Sequence, residues 1–312
     1  MPQTLLPIEL CELIIDFVDD EATLQSTSLV CKAWIARSQF NLFRVVELCL
    51  PTHLDRFREL LLAAPHLAGL VKEIFISENS LLGLLRPSMS VVARFPSLIS
   101  PHPCIQPHRL TVHKQLWLPT RYNPLYLAEL SRLTSITSLD LFDVTFTTVA
   151  DLSIVLRALR HLRSLSAEDL DDQRQLDPET SASIGSDLPS LTTLRIRSSH
   201  PTSVTDWLLR HNRFPAIRYM ECNYQLSATL GANQGLGAFW RASGATLETL
   251  TLAISKRTLG TSLLPSVIGA SRLEQHPATE PLTSALPHHR RTPQPFLLYL
   301  PHHATSRLPA RT

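Results

Sequence analysis

The chain has 312 residues, 44% of them hydrophobic, with 29 Lys and Arg against 27 Asp and Glu and a formal net charge of +2. That length allows one to three domains with ample apolar content for a core, while scattered basic residues and few aromatics argue against nucleic-acid binding. Five cysteines, an odd number with no C-x-x-C pair, argue against a disulfide framework and a zinc module. No run approaches a membrane span, and the acids of the first apolar stretch interrupt any signal-sequence pattern. The expectation is a cytoplasmic or nuclear protein.

Residues 6–43 predict three short helices. In the first, Glu9, Glu12, Asp16 and Asp19 recur at helical steps as one narrow polar stripe, and the rest of the circumference is apolar: Ile8, Leu10, Cys11, Leu13, Ile14, Ile15, Phe17 and Val18. This exceeds the single core-facing stripe of a surface helix. Three short helices cannot enclose that surface, so part of it should meet another protein or the rest of the chain. Pro7 suits the first helical position and Asp20 the N-cap of a second helix, accepting from Ala22 or Thr23. After the Ser26, Thr27, Ser28 cluster, Leu29, Val30, Ala33 and Trp34 predict a third. Cys11 and Cys31 fall on apolar faces and read as reduced core residues.

The motifs LPIEL at 6–10, IID at 14–16, SLVCKAW at 28–34 and the Asn41, Leu42, Phe43 ending resemble the F-box, in particular the F-box proteins abundant in mushroom-forming fungi. In that family the helices dock on a small Skp-family adaptor carried by a cullin, and the rest of the chain recruits a substrate for ubiquitination. The resemblance implies that Leu6, Pro7, Ile8 and Leu10 bury against the adaptor, supported by Ile14, Leu29 and Val30, with Trp34 closing the internal core. The domain expected is 1–45. The DDEATL stretch departs from the shorter Asp-Leu start of many members.

Beyond it, Val46, Leu48 and Leu50 alternate as a strand, and Leu54, Phe57, Leu61 and Ala64 share one helical face before Pro65. Leu67, Leu70, Ile74 and Ile76 then begin a recurring pattern. It returns through Leu133, Ile136, Leu139, Leu141; Leu159, Leu162, Leu165; Leu188, Leu191, Leu194, Ile196; Phe214, Ile217, Met220, Cys222; and Leu247, Leu250, Leu252. The first strand positions, 139, 165, 194, 220 and 250, are separated by 26, 29, 26 and 30 residues. Between them lie amphipathic stretches, Val149, Leu152, Leu156, Leu159 and Val204, Leu208, His211, the latter bordered by Trp207. The spacing resembles leucine-rich repeats, although Val144, Leu170, Ser199, Gln225 and Ser255 stand where the consensus has Asn or Cys. The fold class expected is an α/β repeat: a three-helix F-box, then an irregular leucine-rich-repeat solenoid of parallel strands and helices over 46–255. A Pro-rich insertion is expected at about 77–123, where Pro87, Pro96, Pro101, Pro103, Pro107 and Pro119 would break any long helix and Leu110 and Val112 could supply a strand.

From 256 to 312 eight prolines, seven basic residues and two acidic ones read as a disordered tail. Such a tail is also what a truncated or misjoined reading frame would leave. Phosphate-loop, nucleophile-elbow and zinc-protease motifs are missing from the sequence, and His102, Cys104, His108 and His113 have no familiar metal spacing. The expectation is a non-catalytic substrate receptor without metal or cofactor, with no nucleic-acid or membrane partner. It would bind a Skp-family adaptor, and through it a cullin, and present an unidentified protein substrate to the ligase. Period-two geometry nominates Asp140, Phe142, Arg195, Arg197, Glu221 and Asn223 as the substrate face. The alternative is a leucine-rich-repeat interaction scaffold whose N-terminal helices only cap the array.

Overall fold

The computed structural model describes residues 6–77, 90–99, 102, 104–119, 125–172, 188, 190–198, 214–224, 243 and 246–254. All lie within residues 1–275, the first of the two units into which the chain divides. Three helices come first: α1 (Ile8–Asp16), α2 (Glu21–Thr27) and α3 (Lys32–Phe43). Arg44 leads directly into β1 (Val45–Leu48), followed by α4 (Pro51–Ala63), a 3-10 turn at Pro65–Leu70 and β2 (Glu73–Ser77). Pro51 opens α4, where its missing N–H is harmless, and Pro65 follows the end of that helix. Then come α5 (Val91–Ile99), β3 (Arg109–His113), β4 (Leu116–Trp117), α6 (Tyr126–Ser131), β5 (Ser138–Phe142), β6 (Thr145–Phe146) and α7 (Val149–Ala158). The remaining strands are β7 (Ser164–Glu168), β8 (Asp171–Asp172), β9 (Thr193–Ser198), β10 (Tyr219–Tyr224) and β11 (Thr249–Ile254). No helix among the described residues is long and apolar enough to cross a membrane.

The protein has an α/β fold built on an eight-stranded, wholly parallel sheet in the order β1-β2-β3-β5-β7-β9-β10-β11. Its register is continuous. Val46, Ile74, Leu110, Leu139, Leu165, Leu194, Met220 and Leu250 stand opposite one another in turn, two residues before a second row from Leu48 to Leu252. The strand positions spaced through the sequence at 139, 165, 194, 220 and 250 therefore pair with one another. The pattern residues from Leu133 to Cys222 are all buried. Because side chains alternate along a strand, both apolar rows lie on one face of the sheet. Leu54, Phe57 and Leu61 of α4, Phe95 of α5, Tyr126 and Leu130 of α6, and Leu152 and Leu156 of α7 share its core. Each of these helices packs on the next.

The Pro-rich stretch does not stand apart from the sheet. Its strand at Leu110 and Val112 is β3, between β2 and β5, and α5 contains Pro96 within the helix. Proline there removes the bond to the Val92 carbonyl, yet both residues are buried, Val92 within the common core, and tertiary packing outweighs local propensity over so short a helix. Trp207, Val204, Leu208 and His211, the consensus positions Ser199, Gln225 and Ser255, and the tail at 256–312 lie outside the described residues.

Three successive coils turn in one way. Lys114, Asp143 and Asp169, each just past a strand of the large sheet, adopt φ of 52°, 54° and 50°. This left-handed geometry is strained for most side chains and best tolerated by Asp and Asn among the non-glycines. The turn aims their N–H groups at the neighbouring coil. Lys114 donates to the Phe142 carbonyl, Asp143 to Glu168 and Asp169 to Arg197, each at 2.9 Å. The chain then enters a second, three-stranded parallel sheet, β4-β6-β8. Val144 and Leu170, which stand where the repeat consensus has Asn or Cys, are buried apolar residues, and main-chain bonds join these coils.

Candidate docking surfaces

In the three-helix unit α3 is the common partner of α1 and α2. Pro7 is the N-cap of α1, one position earlier than expected, and α1 buries Cys11 and Ile15. Asp20 caps α2 as predicted, accepting from the Thr23 N–H and hydroxyl, both at 2.7 Å. The Thr27 and Ser38 hydroxyls meet at 2.9 Å between α2 and α3, with Ser38 fully buried. The end of α1 is clamped to α3. Arg37 grips the Asp16 carboxylate with both Nε, at 2.5 Å, and Nη2, while Asn41 Nδ2 donates to Asp16 Oδ1 at 3.1 Å and the Ile15 carbonyl at 3.2 Å.

The Arg37 hydrogen bonds, opposed in part by burial and aided by Asn41, hold the Asp16 carboxyl below the usual carboxylate range. A carboxylate with a depressed folded pKa contributes stability above its unfolded value, about pH 4, and loses it as pH falls through the folded value. Since the pair is about one-third exposed, Asp16→Asn is expected to lower stability near pH 7 by about 1 kcal/mol or less. Urea titrations from pH 7 down to pH 3 should show the two proteins converging as the acid is protonated.

Leu6, Pro7, Ile8, Leu10, Ile14, Leu29 and Val30 are all exposed. Leu10, Leu13, Ile14 and Phe17 follow one another at steps of three, one and three along α1, opposite its buried Cys11–Ile15 stripe. Leu29 and Val30 are not helical as predicted. They form the turn before α3, their N–H groups bonded to the Ser26 and Thr27 carbonyls at 3.0 and 3.2 Å. That turn lifts Leu29 to 86% exposure. Cys31, expected in the core, is the exposed N-cap of α3, and Trp34 is half-buried on that helix. Phe17, 79% exposed, and Leu13 were not singled out from the sequence, although the excess apolar circumference of α1 already contained them.

The second surface is the polar face of the large sheet. Asp140, Phe142, Arg195, Arg197 and Glu221 all belong to it; Asn223 stands opposite Arg197 in register, its side chain outside the described set. Arg197 donates to Glu221 Oε1 through Nε at 3.0 Å and Nη2 at 2.6 Å. Arg195 reaches the same carboxylate at 3.5 Å and lies 5.7 Å over the Tyr219 ring. Asp140 pairs with Arg109 at 3.2 Å. Burial nevertheless raises its carboxyl pKa, against the pull of Arg109 and Arg195. Phe142 stands with His113 at 6.3 Å between ring centroids, and His113 with Phe75 at 6.1 Å. Burial, then Lys114, lowers the His113 pKa against Asp143 and Glu168, so its ring is mainly neutral at pH 7. Arg109, Phe75, His113 and Tyr219 were not nominated from the sequence; the same alternation, extended to β2, β3 and β10, identifies them.

Cys222 is buried beneath β10 and its thiol pKa is pushed up to about 11 by burial, which keeps it protonated and unreactive. Among the described residues no group of three or more His, Cys, Asp and Glu could hold a metal, His102, Cys104, His108 and His113 included. The two surfaces thus present exposed apolar side chains at α1 and charged and aromatic side chains on the sheet. No protein-family model matches this chain, and no curated protein matches it.

Proposed function

We propose that this chain is the substrate-recognition subunit of an SCF-type cullin ubiquitin ligase, its N-terminal helices an F-box that docks a Skp-family adaptor. The observation that carries the reading is the apolar surface on a small, internally bonded helical unit. Leu6, Ile8, Leu10, Leu13, Ile14, Phe17, Leu29 and Val30 stay exposed although α3 already packs on α1, α2 and the start of the sheet. A partner covering them gains about 25 cal/mol for each Å² of apolar area removed from water. The scaffold alternative, in which these helices only cap the array, predicts that this surface is used up within the chain. In the same reading the region after residue 45 is an irregular leucine-rich-repeat solenoid, supported by the in-register parallel strands. Its polar face, with Asp140, Phe142, Arg195, Arg197 and Glu221, receives the substrate. The chain itself does no chemistry. It raises the effective concentration of a substrate lysine near the conjugating enzyme.

Co-purification from a fungal extract tests this. Wild type is expected to bring down a Skp-family adaptor, and a Leu6→Ala, Pro7→Ala, Leu10→Ala variant to lose it while circular dichroism stays unchanged. Failure of the wild type to retain the adaptor would leave the scaffold reading in front.

A further inference from the structure

The fold gathers basic residues far apart in sequence into one line. From β2 onward, the residue just before each strand of the large sheet donates its N–H to the carbonyl of its counterpart before the preceding strand, at 2.7–2.9 Å. The series runs from Arg44 through Lys72, His108, Thr137, Arg163, Thr192 and Arg218 to Glu248. Neighbouring strands lie about 4.8 Å apart, so these residues form a row along the edge where the strands begin. Thr137 and Thr192 turn their hydroxyls back onto the row's own carbonyls, at 3.4 and 3.1 Å, and bring no charge.

Among the described residues two carboxylates form ion pairs with these cations, and Asp16 lies within electrostatic reach of Arg44. Glu73 lies 3.6 Å from both Arg44 and Arg109, and Glu248 lies 3.6 Å from Arg218. Lys72 and Arg163 make no ion pair among the described residues; Lys72 Nζ donates to the Gly69 carbonyl at 3.0 Å. Exposed Arg160 adds another cation just before Arg163. At the opposite edge, where the strands end, the three acids Asp143, Glu168 and Asp169 stand with the two cations Lys114 and Arg197. A chain of net charge +2 is thus polarised across its sheet, with the positive excess on one side.

We propose that the basic edge docks an acidic segment of a partner protein, laid across the strand starts with carboxylates at Lys72 and Arg163. Charge complementarity identifies the occupant, and the distribution of charge favours a polypeptide over a nucleic acid. Glu73 and Glu248 sit within reach of the row and would repel an unbroken phosphate backbone, whereas a peptide can set uncharged residues against them. The row also holds no Phe, Tyr or Trp on which bases could stack. Nothing in this depends on what α1 binds.

Fluorescence anisotropy on the full chain at low salt, with a labelled glutamate–glycine dodecapeptide as probe, tests it. The acidic peptide binds, a lysine–glycine peptide does not, and binding disappears in 1 M salt, where the screening length is about 3 Å. Lys72→Glu combined with Arg163→Glu weakens binding about tenfold or more, and Arg58→Glu on the exposed side of α4 leaves it unchanged. If the double variant melts early, Lys72→Ala and the wild-type salt series decide the matter. No binding by wild type, equal loss with Arg58→Glu, or tighter capture of single-stranded DNA through the same two residues overturns the proposal.

Discussion

Replacing Trp117 with alanine is expected to destabilise the protein by about 3–5 kcal/mol, the range for deleting a large buried aromatic. Trp117 is fully buried on β4. Its ring stacks on Phe146 of the adjoining coil, centroids 6.1 Å apart and planes 21° apart, and its indole N–H donates to the Tyr126 hydroxyl at 3.0 Å. One side chain therefore joins the small sheet, its neighbour coil and α6. Alanine leaves a cavity and takes this donor from a buried hydroxyl, two separate penalties. Trp117→Phe keeps much of the ring and loses the donor, so a smaller cost of about 1–3 kcal/mol is expected. Urea unfolding of the three proteins at equal m-value is the measurement. A Trp117→Ala loss under 1 kcal/mol would mean that this coil does not pack as described.

The second large effect concerns binding without stability. Phe17→Glu and Leu29→Glu are each expected to abolish adaptor co-purification while shifting stability by no more than about 0.5 kcal/mol. At 79% and 86% exposure these side chains contribute little to the isolated fold. An apolar anchor at the centre of an interface, however, is often worth 2 kcal/mol or more, and a carboxylate there adds the cost of a buried unpaired charge. Adaptor capture by both variants at wild-type strength would remove α1 and the α2–α3 turn from the interface. Loss of capture accompanied by a lower melting temperature would instead point to a structural role, against their exposure.

How much of this was legible in the sequence depends on the kind of signal. The strands at Leu139, Leu165, Leu194, Met220 and Leu250 could be located because a parallel sheet repeats the same apolar pair in every coil, and a period survives irregular spacing. The Asp20 cap was legible for a local reason, since its partner is three residues away. The α2–α3 turn was not. Leu29 and Val30 have helical spacing to Ala33 and Trp34, and nothing local announces that they face outward. Likewise α5 contradicts the propensity of Pro96, because burial beside Val92 decides the matter. The basic edge had no signature at all: Arg44, Lys72, His108, Arg163 and Arg218 are neighbours only after each coil has closed on the last.

The left-handed turns at Lys114, Asp143 and Asp169 bear on how the chain acquires its shape during synthesis. Each sends its main-chain bond one coil forward, and every strand of the large sheet pairs with its immediate successors in that sheet and with nothing more distant. Loop closure over a few tens of residues is entropically mild compared with closure across a whole domain. A nascent chain can therefore add coils in the order in which they leave the ribosome, each new strand finding its template already in place. An arrest after β7 should yield a protease-resistant fragment ending near Glu168, growing by one coil as the arrest point moves through β9 and β10.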